Sequence, residues 1–211
     1  DINRKTNFET ANMDKTYSAS ARQVAAIAAI SDTRGLQSLP EELQELAQLR
    51  LDHPDMTLRE LGLYESLGAH NELHYHSLPG VNSAEEMGKA AAADVYLLSA
   101  NAIAENTGEI LSIDGIGNRT SSTLFGHRKV YFIAGKNKVS PDFDSALWRL
   151  RNVVAPKNAQ RLGKKTPCAA KAGKCYNCSS PDRICNALVV HYKKMGSMDM
   201  EVVLVDQELG F

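Results

Sequence analysis

The chain lacks any long apolar run. None of its hydrophobic stretches approaches the roughly 20 residues that a bilayer-spanning helix needs. It also lacks an excess of charge of either sign: 24 basic and 25 acidic side chains leave a formal net charge of −1. No global field therefore recruits nucleic acid or an anionic membrane. Aromatics are few, at 6% of residues, and Trp148 and Tyr176 stand singly rather than in the stacking array that RNA recognition uses. No Walker A, Rossmann or G-x-S-x-G fingerprint occurs, and no secretory leader is read. The expectation is a cytoplasmic protein with no membrane insertion and no nucleic-acid partner. Hydrophobic residues at 43% and charged residues at 23% are ordinary for a globular chain.

Cysteine is absent everywhere except in one eighteen-residue stretch, which holds Cys168, Cys175, Cys178 and Cys185 in the spacing C-x6-C-x2-C-x6-C. Core cysteines are normally scattered, so this clustering points to chemistry. The central C-x-x-C can grip one ion from a tight turn, and the outer pair closes a tetrahedron. Lys164, Lys165, Lys171, Lys174 and Arg183 surround the thiols, and cations lower thiol pKa and stabilise a thiolate-rich centre. Four thiolates suit structural zinc or an iron–sulfur cluster. Disulfides, redox-active thiols or inert cysteines are the other readings, and a chain of 211 residues does not need covalent staples for its core.

Residues 1–17 are polar and weakly patterned and read as a flexible lead-in, leaving residues 18–211 as a single domain. Residues 18–30 are alanine-rich and helical in composition, with Ser18 or Ser20 as N-cap. After Pro40, residues 41–51 form a second helical pattern, with Leu43, Leu46, Ala47 and Leu51 on one face. Thr57, with Glu60 in the capping-box position, opens a third that Gly68 ends. From residue 89 onward the pattern changes. Apolar strands at 94–99, 129–134, 187–191 and 202–205 alternate with helical segments at 89–93, 144–152 and 158–162. Such alternation predicts an α/β fold with a largely parallel sheet. The cysteine-bearing residues 163–186 become a loop inserted at the periphery of that sheet.

Residues 101–119 follow the first of these strands, at the end where open α/β sheets bind ligands. Gly115 and Gly117 let backbone N–H groups approach an anion, and Asn118 and Arg119 add an amide and a guanidinium suited to a carboxylate or phosphate. Asn101 and Thr107 supply further polar groups. Lys136 and Lys138 follow the next strand and belong on the same rim. Glu105 and Asp114 are the candidate general bases. The plainer alternative is a turn at Gly115 and Gly117 whose backbone Asp114 and Asn118 satisfy, with Glu105 facing water. His74 and His76, two apart, would share one strand face, near His70. With no third ligand, a solvated edge strand is the simpler account. His53 and His127 read as structural or exposed.

Several runs together resemble the LUD (lactate-utilisation) domain family. They are MTLRELGL at 56–63, NAIAENTG at 101–108, DGIGNR at 114–119, KVYFIAGKNK at 129–138 and RNVVAPKNAQRL at 151–162. The stretch from Thr166, Pro167 and Cys168 to Arg183, Ile184, Cys185 and Asn186 is similar to a cysteine-bearing branch of the family. The resemblance implies a three-layer α/β/α fold like that of sugar-phosphate isomerases and CoA-transferases. It also implies an association with lactate oxidation through iron–sulfur and flavin or quinone partners. The expectation is a protein that binds a small anionic metabolite or cofactor and serves in lactate or organic-acid oxidation, with a metal at its cysteines. One alternative is a non-catalytic subunit that docks a redox protein partner through the cysteine loop. Another is an isomerase or acyl-transferase of the parent fold with Glu105 as base or nucleophile. The chain departs from the family's pattern in one respect: family members reach the Met-Thr-Leu helix from a strand and a glycine-rich turn, and residues 49–55 here contain no glycine.

Overall fold

The computed structural model describes residues 26–30, 48–51, 55–69, 71–75, 80–171 and 173–211. Two sheets organise them. The larger joins six parallel strands in the order β1-β10-β7-β4-β2-β3. Their ranges are β1 Ala26–Ile30, β2 Gln48–Leu51, β3 Glu72–His74, β4 Val95–Leu98, β7 Lys129–Gly135 and β10 Asp199–Val205. The smaller has the order β8-β5-β6-β9, from β5 Ala102–Ala104, β6 Ile110–Asp114, β8 Val139–Ser140 and β9 Ala187–His191.

Strand β7 shows why the sequence reads as a continuous apolar run there. Alternate side chains of a strand point to opposite faces, and both faces of this strand are covered, as in parallel sheets generally. Val130, Phe132 and Ala134 join a core with Tyr96, Leu98, Val202 and Leu204 that also takes in Ile103 and Ile110 of the small sheet. Tyr131 and Ile133 point the other way, packing with Leu58, Leu63 and Leu67 of α1 (Met56–Glu60) and α2 (Leu63–Gly68). The outer face of the small sheet closes on Ala146 and Leu150, at α5 (Phe143–Arg149) and the segment that follows it. Helices thus flank a largely parallel sheet in three-layer α/β/α fashion, with the small sheet interposed on one side. The remaining helices are α3 Ser83–Ala92, α4 Asn118–Ser121, α6 Ala155–Arg161 and α7 Pro167–Lys171.

Two helical expectations are corrected. Ala26–Ile30 is a strand paired with β10 from Ala26↔Glu201 to Ile30↔Val205, and Gln48–Leu51 is a strand between β3 and β4. In both, pairing with distant backbone outweighs local helix propensity. At β2 the side chain of Arg50 adds to this: it is buried, lies 4.6 Å over the Tyr96 ring and donates to Ser122 Oγ at 2.6 Å. The rest of the residue 18–30 and 41–51 helices, the lead-in at 1–17 and both proposed serine caps lie outside the described residues. The cap of α1 is also corrected. Asp55, not Thr57, occupies the N-cap position with extended backbone, and its carboxylate accepts the Leu58 N–H. Glu60 turns away and accepts the Gly210 N–H at 2.8 Å.

Residues 150–154 form a π-helical turn between α5 and α6, in which the Ala155 N–H donates to Leu150 O. Pro156 follows at once. It has no N–H for Asn152, and its ring would crowd that carbonyl in a regular helix. The wider turn absorbs both problems.

Candidate functional site

A cavity of about 370 Å³ opens at the carboxyl ends of β2, β4 and β7, where open α/β sheets place their ligands. Asp55, Met56 and Thr57 enter it after β2; Ser99, Ala100 and Asn101 enter it after β4; and Lys138 enters it after β7. Asp114, Gly115, Asn118 and Arg119 form a second wall, Asn158, Arg161 and Lys164 a third, and Ile184 and Phe211 complete it.

Lys138 is the most unusual of these. It ends the 3-10 turn Lys136–Lys138 and is only 5% exposed. Among the described residues its ammonium makes no hydrogen bond or ion pair. Burial pushes its pKa down to about 8; Asp55 and, more weakly, Glu60 oppose this, while Arg149 and Arg119 add to it. The turn that carries it is held firmly: Asn137 O accepts from Arg149 Nε at 2.8 Å, and Asn137 Oδ1 accepts the Leu209 N–H at 3.1 Å. Gly135 at its base has no room for a side chain, since a Cβ would lie 2.6 Å from Gln207 O.

Arg119 brings a second positive charge. Its guanidinium donates to Asn101 Oδ1 at 2.6 Å, Ile113 O at 3.0 Å and Ser99 O at 3.2 Å. Asn101 Oδ1 also accepts the Ile113 N–H at 2.9 Å. Asn101 and Arg119 therefore lock the end of β4 to the end of β6. Asp55 fixes the third segment, accepting the Leu58 N–H and, at 2.9 Å, the Ser99 N–H.

The turn at 114–119 is filled by its own anion. Asp114 accepts from the backbone N–H groups of Ile116, Gly117, Arg119 and Thr120 and from Thr120 Oγ1, at 2.9–3.2 Å. Burial alone would raise its pKa, but the Thr120 N–H, the Arg119 charge and the other hydrogen bonds together hold it below the usual carboxylate range. Gly117 has φ of +81°, which the turn into α4 requires. Gly115 allows close approach of the cysteine loop, as a Cβ there would meet Ile184 O at 3.1 Å. The arrangement matches the plainer of the two sequence readings for the glycines and Asp114.

Asn101, Asp114, Gly115, Asn118, Arg119 and Lys138 thus gather on one cavity, while four other candidates do not line it. Gly117 sits just behind the wall. Glu105 lies in the turn between β5 and β6, where its N–H donates to Ser140 O. Thr107 bonds Asn106 and Glu109 in the same turn. Lys136 pairs at the surface with Asp206 at 3.0 Å. Sequence reasoning missed Asp55, Thr57, Ser99, Asn158, Arg161 and Lys164. The one local signal was Asp55 immediately before a helical pattern, and the capping box at Thr57 concealed it.

Cys168, Cys175, Cys178 and Cys185 are all free and partly buried. Arg183 threads their loop, donating to Cys185 O at 2.9 Å and Cys178 O at 2.8 Å. A hydrogen bond with Cys185 and the charges of Cys185, Cys178 and Cys175 raise its pKa. Cys175 Sγ accepts the Asn177 N–H at 3.3 Å, and its own N–H donates to Asn152 Oδ1 at 3.0 Å. Cys168 Sγ lies 3.2 Å from Thr166 Oγ1. Among the described residues no three His, Cys, Asp or Glu side chains converge as metal ligands. His74 is buried against Glu86 at 2.8 Å, while His70 and His76 lie outside the described residues.

Among proteins of known family, the LUD domain matches this chain over residues 6–205. A shorter similarity is of another kind. Over 61 residues, 29% of this chain, it is 54% identical to the probable cell division protein WhiA of Desulfitobacterium hafniense (strain DSM 10664 / DCB-2) and to that of Bacillus subtilis (strain 168), in each case covering 19% of the relative. The identity to the protein of the same name from Bacillus licheniformis (strain ATCC 14580) is 52% over 67 residues, 32% of this chain and 21% of the relative. The chain spans about a fifth of the length of these curated relatives.

Proposed function

This chain belongs to the LUD domain family, and from that premise we propose that it binds a small organic-acid anion in the strand-end cavity and takes part in lactate or related organic-acid oxidation. The observation that carries the reading is Lys138, a buried ammonium that makes no hydrogen bond or ion pair among the described residues, with the charges of Asp55 and Glu60 acting on it only from beyond contact, facing a cavity that Arg119, Arg161 and Lys164 also line. A buried charge without a partner is costly, and a carboxylate in the cavity would supply one. Asp55, Asn101 and Arg119 hold the ends of β2, β4 and β6 in place, so the pocket is formed before the ligand arrives. Preorganisation of this kind lowers the cost of binding.

Oxidation of a 2-hydroxy acid to a 2-oxo acid releases two electrons and two protons. The reading therefore calls for a redox acceptor, a protein partner or a cluster. The donor chemistry of the four cysteines suits zinc or iron–sulfur. Among the described residues no three such side chains stand together as a ligand set. No step of the proposed binding depends on such a centre, and metal analysis of protein purified without oxygen decides the point. Nothing in the cavity supports carrying a cell-division role over from relatives matched over a fifth of their length.

A thermal-shift panel of lactate, glycolate, inorganic phosphate and a neutral amide tests the reading. It expects stabilisation by the carboxylates, growing with concentration by mass action, and none by the amide. Equal responses to all four, or none to any, would contradict it.

A further inference from the structure

Resting on that reading of the cavity, we infer that the Lys138 amine forms a reversible imine with the 2-oxo acid into which a 2-hydroxy acid is oxidised. Three observations on the geometry meet here. The side chain is 5% exposed, stands on a pinned turn and opens into a cavity sized for a small metabolite. Among the described residues its nitrogen has no hydrogen-bond or ion-pair partner to displace. Beside it is a hydroxyl in the same condition: Thr57 Oγ1 is fully buried and has no hydrogen-bond partner among the described residues. The two groups flank one point. A Cβ built on Gly210 would lie 3.1 Å from Thr57 Oγ1 and 3.2 Å from Lys138 Nζ.

Lysines become nucleophiles when they are desolvated or set beside other cations. Burial, with Arg149 and Arg119, outweighs the opposing charges of Asp55 and Glu60 on Lys138, whose pKa of about 8 leaves roughly a tenth of the amine neutral at pH 7. The neutral nitrogen attacks the carbonyl carbon, and the carbonyl π pair moves to oxygen, which takes the proton the nitrogen gives up. The oxygen of the carbinolamine so formed takes its hydrogen bond from the Thr57 hydroxyl, which lines the same cavity. A proton from solvent lets that oxygen leave as water while the nitrogen lone pair closes the C=N bond, and the iminium so formed returns the proton to solvent. Amine and ketone become imine and water, with no change of oxidation state and no external co-reactant. The cationic walls at Arg119, Arg161 and Lys164 offer the acid's carboxylate its counter-charge.

The test is reductive trapping of the whole protein with pyruvate and cyanoborohydride, read by intact mass and peptide mapping. The expected result is one carboxyethyl group per chain, on Lys138, forming faster as pH rises from 7 towards 9. Lys138→Arg, with folding checked by circular dichroism, should abolish it. No adduct, or an adduct spread equally over exposed lysines such as Lys136 and Lys193, would overturn the inference. Calorimetry with lactate, which has no carbonyl to attack, separates the two levels. Lactate binding without trapping would sink the imine and leave the cavity reading standing, whereas neither binding nor trapping would sink both.

Discussion

The carboxylate of Asp55 accepts the backbone N–H of Ser99 at 2.9 Å, across 44 residues of chain. Its other oxygen accepts the Leu58 N–H at 3.1 Å. One buried side chain thus caps α1 and ties it to the end of β4, so the two segments that bring Thr57 and Asn101 into the cavity are held together. Asp55→Ala leaves two N–H groups without their acceptor, and each buried unsatisfied group costs about 1–3 kcal/mol. Urea unfolding of this variant should show a lower midpoint with an unchanged m-value.

Lys138→Met should stabilise the protein while removing its anion site. The folded pKa of Lys138 is about 8 against an ordinary 10.5, so the folded state disfavours the ammonium. Between those values the unfolded chain binds more protons, and wild-type stability therefore rises with pH across that window. Below pH 8 the whole penalty is present. The variant should then be the more stable by up to about 3 kcal/mol, and the gap should close as pH approaches 10.5. Denaturation at pH 7 and pH 10 measures both points.

Asp114 has the opposite sign. Its folded pKa lies below the ordinary aspartate value of 3.8, so its contribution is full above that value and is lost as pH falls through the folded pKa. Asp114→Ala strips the 114–119 turn of the acceptor for four backbone N–H groups. It should cost at least about 2 kcal/mol at pH 7. The difference from wild type should narrow in acid, as followed by denaturation at pH 7 and pH 2.5.

Gly135→Ala should be among the most damaging small substitutions. The backbone there is extended, with φ of −72°, so no conformational strain is involved. The new methyl would stand 2.6 Å from Gln207 O and 2.7 Å from Leu209 N, both backbone atoms that cannot swing aside. Overpacking of this kind costs about 1–3 kcal/mol. It should also displace the turn that carries Lys138, so anion affinity and thermal midpoint should fall together.

What the sequence made legible follows from where the information is stored. Strands β4, β7 and β10 were readable because burial on both faces leaves apolar runs in the sequence itself, and the half-exposed edge strand β9 because its residues are apolar and β-branched. Strands β1 and β2 were not. Ala26–Ile30 and Gln48–Leu51 are good helix sequences, and the decision lies with backbone partners such as Val202 and Val95, far along the chain. Apart from β9, the strands of the four-stranded sheet were missed, and Ala102–Ala104 and Val139–Ser140 are too short to show a period. In the cavity, Asn101 and Lys138 could be placed because each follows an apolar strand closely, and Asn118 and Arg119 because they end the glycine-containing run at 114–119. Thr57 and Ser99 are ordinary residues that matter only through what the fold sets beside them. The cysteines were conspicuous by spacing, yet spacing says nothing of whether the thiols meet.

The central claim is that Lys138 and the cavity around it receive a small organic-acid anion. Isothermal titration of lactate into the wild-type chain and into Lys138→Met at pH 7 tests it most directly. The account predicts one site per chain in the wild type and at least a tenfold weaker affinity in a variant that remains folded. Binding of equal strength in both proteins, or no binding in either, would contradict it.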